Sequence, residues 1–226
     1  MTPIQERMKQ EFIARRGYWR EWNEVLLRRD PAFLDAYGTY AATHRETGPL
    51  TGKQIELIYV ALDASATHMF RNGLASHTQK AREAGVTEAE LMHVFRLVVG
   101  QGYDVAKAAE QVLIDELAAQ EVEALPPDLA WDARAQAAFG AEVQGGALRA
   151  QDEALIRVAL HASLTAYCER ALEAAIRKAL TLSVAPAAIR QAIQLAAHLA
   201  VHACAAGLGV VDDELKKSEL AMGQKG

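Results

Sequence analysis

The sequence predicts an all-α protein: a tandem duplication of one helical unit behind an extra N-terminal helix. Three observations predict it. About half of the 226 residues are apolar, only six are proline, and good helix formers outnumber β-branched runs. Helix-capping signals recur along the chain. Sliding the sequence against itself by about 98 positions also aligns two long segments without a gap.

Taken in order, residues 3–28 read as one amphipathic helix carrying Tyr18, Trp19 and Trp22, either a cap over the core or a lid or subunit-contact arm. Asp30 followed by Pro31 is an N-cap with proline at the first helical position; the helix it opens runs to about Glu46 and ends at Gly48-Pro49. A second helix is expected from about Lys53 to Thr67. A third, from about Leu74 to Ala84, stops at Gly85. Thr87 and Glu90 form a capping box that opens the last long helix, and Pro186 holds the matching first-turn position in the second copy.

The duplication rests on polar as well as apolar matches. Phe33 falls on Trp131, Gly48 on Gly146, Ser65 on Ser163, Thr67 on Thr165, Lys80 on Lys178, and Asp115-Glu116-Leu117 on Asp213-Glu214-Leu215. Shared alanine-leucine bias explains neither the ungapped register nor these polar matches. The expected boundaries are an arm over 1–29, a first copy over 30–117, a linker over 118–127, a second copy over 128–215 and a tail over 216–226.

Charge and cysteine content narrow the partners. The net charge is −5, and lysines and arginines occur singly, without a basic stripe, so nucleic acid is not expected. Cys168 and Cys204 lie far apart in alanine-rich sequence, which fits a reducing compartment. The charged start TPIQERMKQE is not a secretory signal, so a cytoplasmic location is expected. The apolar window Ala192–Val211 has the length of a membrane span. Gln194, His198 and His202 interrupt it, and it reads as a buried or subunit-interface helix; no membrane partner is expected.

The segment Ala64–His77, ASATHMFRNGLASH, concentrates the polar chemistry. On one unbroken helix His68 and His77 would point to opposite sides. Asn72-Gly73 is a turn signal, so the helix is expected to break there and bring both imidazoles to one pocket. His68 at a helix C-terminus would favour its proton, and His77 near an N-terminus would not, an arrangement suited to proton transfer. The plainer alternative is a pair of histidines satisfied at a helix junction. In the second copy Ala166, Ala171 and Ala175 stand at the positions of His68, Gly73 and His77, and the helix is expected to run straight through.

The stretches GPLTGKQIELI and ASHTQKAREAGVTEAELMHVFRL, joined by the histidine turn, resemble the carboxymuconolactone decarboxylase and alkylhydroperoxidase D-like superfamily, in particular its tandem two-copy members. The resemblance implies that His77 is the signature histidine and Glu56 the upstream glutamate, here about two residues further away than usual. The redox cysteines of the peroxidase branch would fall on Phe70 and Gly73. Cys168 takes the first of these places in the second copy, but Ala171 fills the other, so no dithiol pair exists. His202, aligned with Asp104, resembles a histidine found late in tandem members.

The residues and the resemblance together imply an enzyme acting on a small organic acid or lactone-like metabolite, with no cofactor expected. Lyase or decarboxylase chemistry is favoured, with His77, His68 and Glu56 catalytic and Arg71, Asn72 and Asp63 binding substrate. His161, Cys168 and His202 are pocket candidates in the second copy. No metal is expected, although His161, His198 and His202 are weak candidate ligands. A non-catalytic small-molecule-binding or scaffold protein, and a thiol peroxidase using a single cysteine, remain as alternatives. The resemblance also implies a homo-oligomer, a trimer first and a dimer second, with Leu91–Gln111 and Ala192–Val211 as candidate interfaces.

Overall fold

Capping chemistry sets the helix starts. In the computed structural model, which describes residues 1–139 and 147–223, Thr2 caps α1 (Pro3–Arg16), Asp30 caps α3 (Pro31–Glu46), Thr51 caps α4 (Gly52–Ala64) and Thr87 caps α6 (Glu88–Ala119). In each case the side-chain oxygen accepts from a backbone N–H left over in the first helical turn. The remaining helices are α2 (Glu21–Arg29), α5 (Arg71–Glu83), α7 (Leu129–Phe139), α8 (Ala150–Ala162), α9 (Glu169–Thr181), α10 (Pro186–Ala197) and α11 (His202–Gly223), with a 3₁₀ turn over His198–Val201. Among the described residues there is no strand.

Helices recur at the predicted interval. α4 and α8 start and end at matching positions about 98 residues apart, α5 and α9 do the same, and Pro186 starts α10 where Glu88 starts α6. Gly146, one of the aligned positions, lies outside the described residues.

The chain divides into two compact units, 48–199 and a second made of 1–47 with 200–226. In the larger unit α4 and α8 lie at the centre. Every residue from Ile55 to Ala64 is buried, as are Leu155, Ile156, Val158, Ala159 and Leu160. Matching residues meet where the two helices cross, and Gln54 Nε2 donates to Asp152 Oδ1 at 2.7 Å. α5 packs on α4 and α9 on α8, while α6 and α10 each touch both central helices.

The smaller unit corrects the reading of residues 3–28 as one helix. Gly17, in the left-handed region at φ 73, ends α1, and α2 begins at Glu21. Phe12 sits at the centre of this unit with its ring edge-on to Tyr18, Trp19 and Trp22. Asp212 on α11 is held by Arg28 at 2.8 Å, Arg29 at 3.1 Å and Lys216 at 2.6 Å, which keeps its carboxyl well below the usual range.

The apolar window predicted as one helix is also interrupted, since the 3₁₀ turn at His198–Val201 separates α10 from α11. The stretch Pro186–Leu220 is long and apolar enough to cross a membrane by length and composition, a test that core helices also pass.

Gly85 ends α5 as predicted, at φ 80 with Val86 N donating to Ala81 O. Ser183 ends α9 in the same way at φ 57, with Val184 N donating to Ala179 O. A Cβ in the left-handed region costs about 1–2 kcal/mol, which glycine avoids at some loss of chain entropy. Ser183→Gly is therefore expected to stabilise the protein by about 0.5–1 kcal/mol in urea denaturation.

Candidate active site

Spacings of three and four residues put Glu56, Tyr59 and Asp63 on one face of α4. All three are buried. α5 lies against that helix and brings in His77, whose Nδ1 is 2.6 Å from Glu56 Oε2. A carboxylate only accepts, so Nδ1 carries the hydrogen and Nε2 is left as the basic nitrogen. The Tyr59 ring lies 4.5 Å from the imidazole at 30°, and on its other contact 5.7 Å from the His198 ring. The His77 side chain is 16% exposed and that of Glu56 4%, so the acceptor is sealed in while the imidazole keeps an edge open. The longer interval between Glu56 and His77 does not prevent a direct contact.

Gly73 stands one turn before His77 on the same face of α5. A Cβ there would lie 2.3 Å from Asp63 Oδ2 and 2.6 Å from a Phe70 ring carbon, so the Asp63 carboxyl rests on bare backbone. Burial, and then the charge of Glu56, push the Asp63 pKa up to about 7. An acid whose pKa is higher folded than unfolded binds its proton more tightly in the native state. Asp63 thus withdraws stability as pH rises from about 4 to about 7. Asp63→Asn is expected to gain stability relative to the parent across that window, by a few kcal/mol at most, in urea melts at pH 5 and pH 8.

Three expectations about the histidine turn are corrected. First, the helix breaks before Asn72-Gly73: α4 ends at Ala64, the turn occupies 65–70, and Asn72 and Gly73 lie in the first turn of α5. Second, the chain from α8 to α9 also breaks, at the same relative place. Ser65 and Ser163 leave their helices at extended ψ values of 139° and 140°. Phe70 N then donates to Asp63 O, and Cys168 N to His161 O. A short hydroxyl residue competes with helix continuation, and both segments carry it. Third, His68 lies beyond the end of α4 and burial lowers its pKa, the opposite of the helix-end expectation. The neighbouring Met69 adopts φ 46, a strained conformation for a non-glycine residue.

His68 stays near the site, a ring nitrogen within 4.8 Å of an Asp63 carboxylate oxygen, and the remaining predicted residues are dispersed. His68 faces the Phe70 ring at 6.0 Å. Arg71 and Asn72 are exposed, and their positions on α5 do not share the His77 face. His77 itself lies in the second turn of α5, beyond the reach of the N-terminal dipole. His161 is buried on α8, and its Nε2 lies 3.1 Å from Asp104 Oδ2. His198 sits in the 3₁₀ turn between the α10 and α11 positions, so the regular one-turn spacing expected of His198 and His202 is broken there. Cys168 is the N-cap residue of α9. Burial raises the Cys204 thiol, which disfavours the thiolate.

Four functional candidates escaped the sequence reading: Tyr59, His93 on α6, and Glu153 and Arg157 on α8. Arg157 links Glu153, 3.1 Å away, to Asp104 at 2.6 Å, and His93 Nε2 lies 3.6 Å from Glu153. The signal was present as Glu153, Arg157 and His161, spaced by four on one helix.

Comparison with known proteins adds to this geometry. Residues 31–115 match the model of the carboxymuconolactone decarboxylase family. The chain is similar to the crystal structure of a protein from Burkholderia xenovorans described as a candidate gamma-carboxymuconolactone decarboxylase subunit. That likeness has a TM-score of 0.77 and 23% identity, and covers 96% of this chain and 100% of the other. A search of curated proteins found no match. Residues 31–115 thus match the carboxymuconolactone decarboxylase family's pattern, and the chain as a whole shares the all-helical fold of the Burkholderia protein.

Proposed function

We propose that the protein is an enzyme that uses His77 as a general acid and base on a small organic acid or lactone-like metabolite, with decarboxylation as the favoured reaction. The observation that carries this reading is the buried Glu56–His77 pair at 2.6 Å. A carboxylate on Nδ1 fixes the tautomer and stabilises the imidazolium formed when Nε2 takes a proton. In a decarboxylation, the bond to the carboxylate breaks, carbon dioxide leaves, and the electron pair passes into the conjugated carbonyl of the lactone. His77 Nε2, protonated from solvent before this step, passes that proton to the resulting carbanion, and the ring returns to the neutral imidazole with its lone pair on Nε2. The family match and the description of the structural neighbour support the decarboxylase class.

The chain's organisation is part of the same proposal. The matched helix bounds support a tandem duplication, with the Glu56–His77 chemistry kept in the first copy only. A homo-oligomer is supported by Met92, Phe95 and Val99, exposed apolar residues that share one face of α6.

The experiment is incubation of the purified protein with a panel of unsaturated lactone carboxylates, including 4-carboxymuconolactone, with carbon dioxide release followed. Release above the uncatalysed rate supports the reading. No release from any lactone acid, from protein shown to be folded, rejects the decarboxylase class.

A further inference from the structure

An imidazole that takes up a proton away from water loses hydration, and burial therefore disfavours its charged form. His77 is in that position, with its side chain largely closed in. Glu56 offsets part of the loss at Nδ1, 2.6 Å away, but it reaches the ring only at one edge. The face of the ring meets Tyr59, with centroids 4.5 Å apart and planes inclined by 30°. Tyr59 is 3% exposed, so this contact is made out of reach of bulk water.

An aromatic face carries negative charge density and attracts a cation within about 6 Å of its centroid. The attraction is stronger for the imidazolium than for the neutral imidazole. Glu56 and Tyr59 stand one turn apart on α4, so one helix face supplies both the edge contact and the face contact. The second half of the chain separates this role from packing. It carries Ala154 for Glu56, Ala175 for His77 and Arg157 for Tyr59. The neighbouring core positions are kept: Leu57, Ile58 and Val60 recur as Leu155, Ile156 and Val158, all buried. The aromatic ring is present in the half that has the histidine and absent from the half that lacks it.

We propose that Tyr59 is a positioning residue for His77, its ring face fixing the plane of the imidazole and stabilising the imidazolium over the neutral ring. This role rests on the acid and base function proposed for His77, and names the group that sustains its charge. The other titratable groups around this place are Glu56 and Asp63 on α4, His68 in the turn 65–70, Lys80 three residues after His77 on α5, and His198 in the 3₁₀ turn. The His198 ring lies 5.7 Å from Tyr59 at 56°, farther and more steeply inclined than His77. Asp63, pushed up to about 7, changes charge in the range where an imidazole titrates.

The test is an NMR pH titration of the histidine rings in the full chain, without substrate and with Asp63→Asn present to remove the carboxyl that titrates alongside. Tyr59→Phe keeps the ring, and phenylalanines bearing one, two and three fluorines at the same position keep its shape while withdrawing electron density from its face in steps. The expected result is a His77 midpoint within about 0.2 pH unit of the parent in Tyr59→Phe, falling stepwise to about 0.5–1 pH unit lower with three fluorines. The His198 midpoint should move less. A His77 midpoint indifferent to fluorination, a fall in Tyr59→Phe as large as that with three fluorines, or an equal shift of His198 would overturn the proposal. Failure to release carbon dioxide from any lactone acid rejects the decarboxylase reading and leaves these midpoints where they are, whereas an indifferent midpoint removes Tyr59 and leaves that reading standing.

Discussion

Replacing His77 with alanine is expected to lower turnover of the lactone acid by about 10²–10⁴-fold, the usual contribution of one positioned acid or base. The side chain is partly open, and its removal takes one hydrogen bond from the buried Glu56 carboxylate, at a cost of about 1–3 kcal/mol, but does not cut into the central α4–α8 contact. Glu56→Gln should cost less, because an amide holds the ring but presents either an acceptor or a donor to Nδ1. If it presents the donor, the ring flips to the wrong tautomer. KM should change far less than kcat in both variants, since neither residue is assigned to substrate charge. Turnover of His77→Ala within a few-fold of the parent would remove the histidine from the mechanism.

Gly73→Ala is the second large effect, and its sign goes against helix propensity. In an open helix the change gains about 1 kcal/mol. Here the new Cβ meets the Asp63 carboxyl at 2.3 Å and 2.9 Å and the Phe70 ring at 2.6 Å. Asp63 is 1% exposed and has nowhere to withdraw. Overpacking of a close-packed interior costs about 1–3 kcal/mol, so a net destabilisation of about 1–2 kcal/mol is expected in urea denaturation. The shift of α5 away from α4 also lengthens the Glu56–His77 contact, so activity should fall with stability. Ala171 occupies the matching place in the second half, where the residue aligned with Asp63 is His161, held by Asp104 at 3.1 Å.

The helix starts were legible because caps are local: Asp30, Thr51 and Thr87 each act on a backbone group within three residues. Internal self-similarity was legible for the same reason, being a property of the string. The break in the histidine turn was placed wrongly because Asn-Gly is a strong turn signal only when the chain is free to turn. Gly73 is present for close approach to Asp63, a contact between helices that no local pattern records. The serine that does end each helix, Ser65 and Ser163, is a weaker signal, and recurrence at matching positions was the clue to it.

The site was half legible. Glu56 and His77 came from the family pattern, and their contact from neither pattern nor spacing. Tyr59 was hidden because an aromatic on an apolar helix face reads as core. The second half looked empty at the level of alanines for histidines. The polar side chains that replaced the lost chemistry, Arg157, Asp104 and Glu153, lie on two helices far apart in sequence and meet only in the fold.

The central claim is that Glu56 holds His77 with its hydrogen on Nδ1 and its lone pair on Nε2. Nitrogen-15 NMR of the His77 imidazole reads this without a substrate. The account predicts the Nδ1–H tautomer for the neutral ring in the parent protein, and a mixture of tautomers in Glu56→Ala. A parent ring found as the Nε2–H tautomer, or a spectrum indifferent to Glu56→Ala, would contradict it.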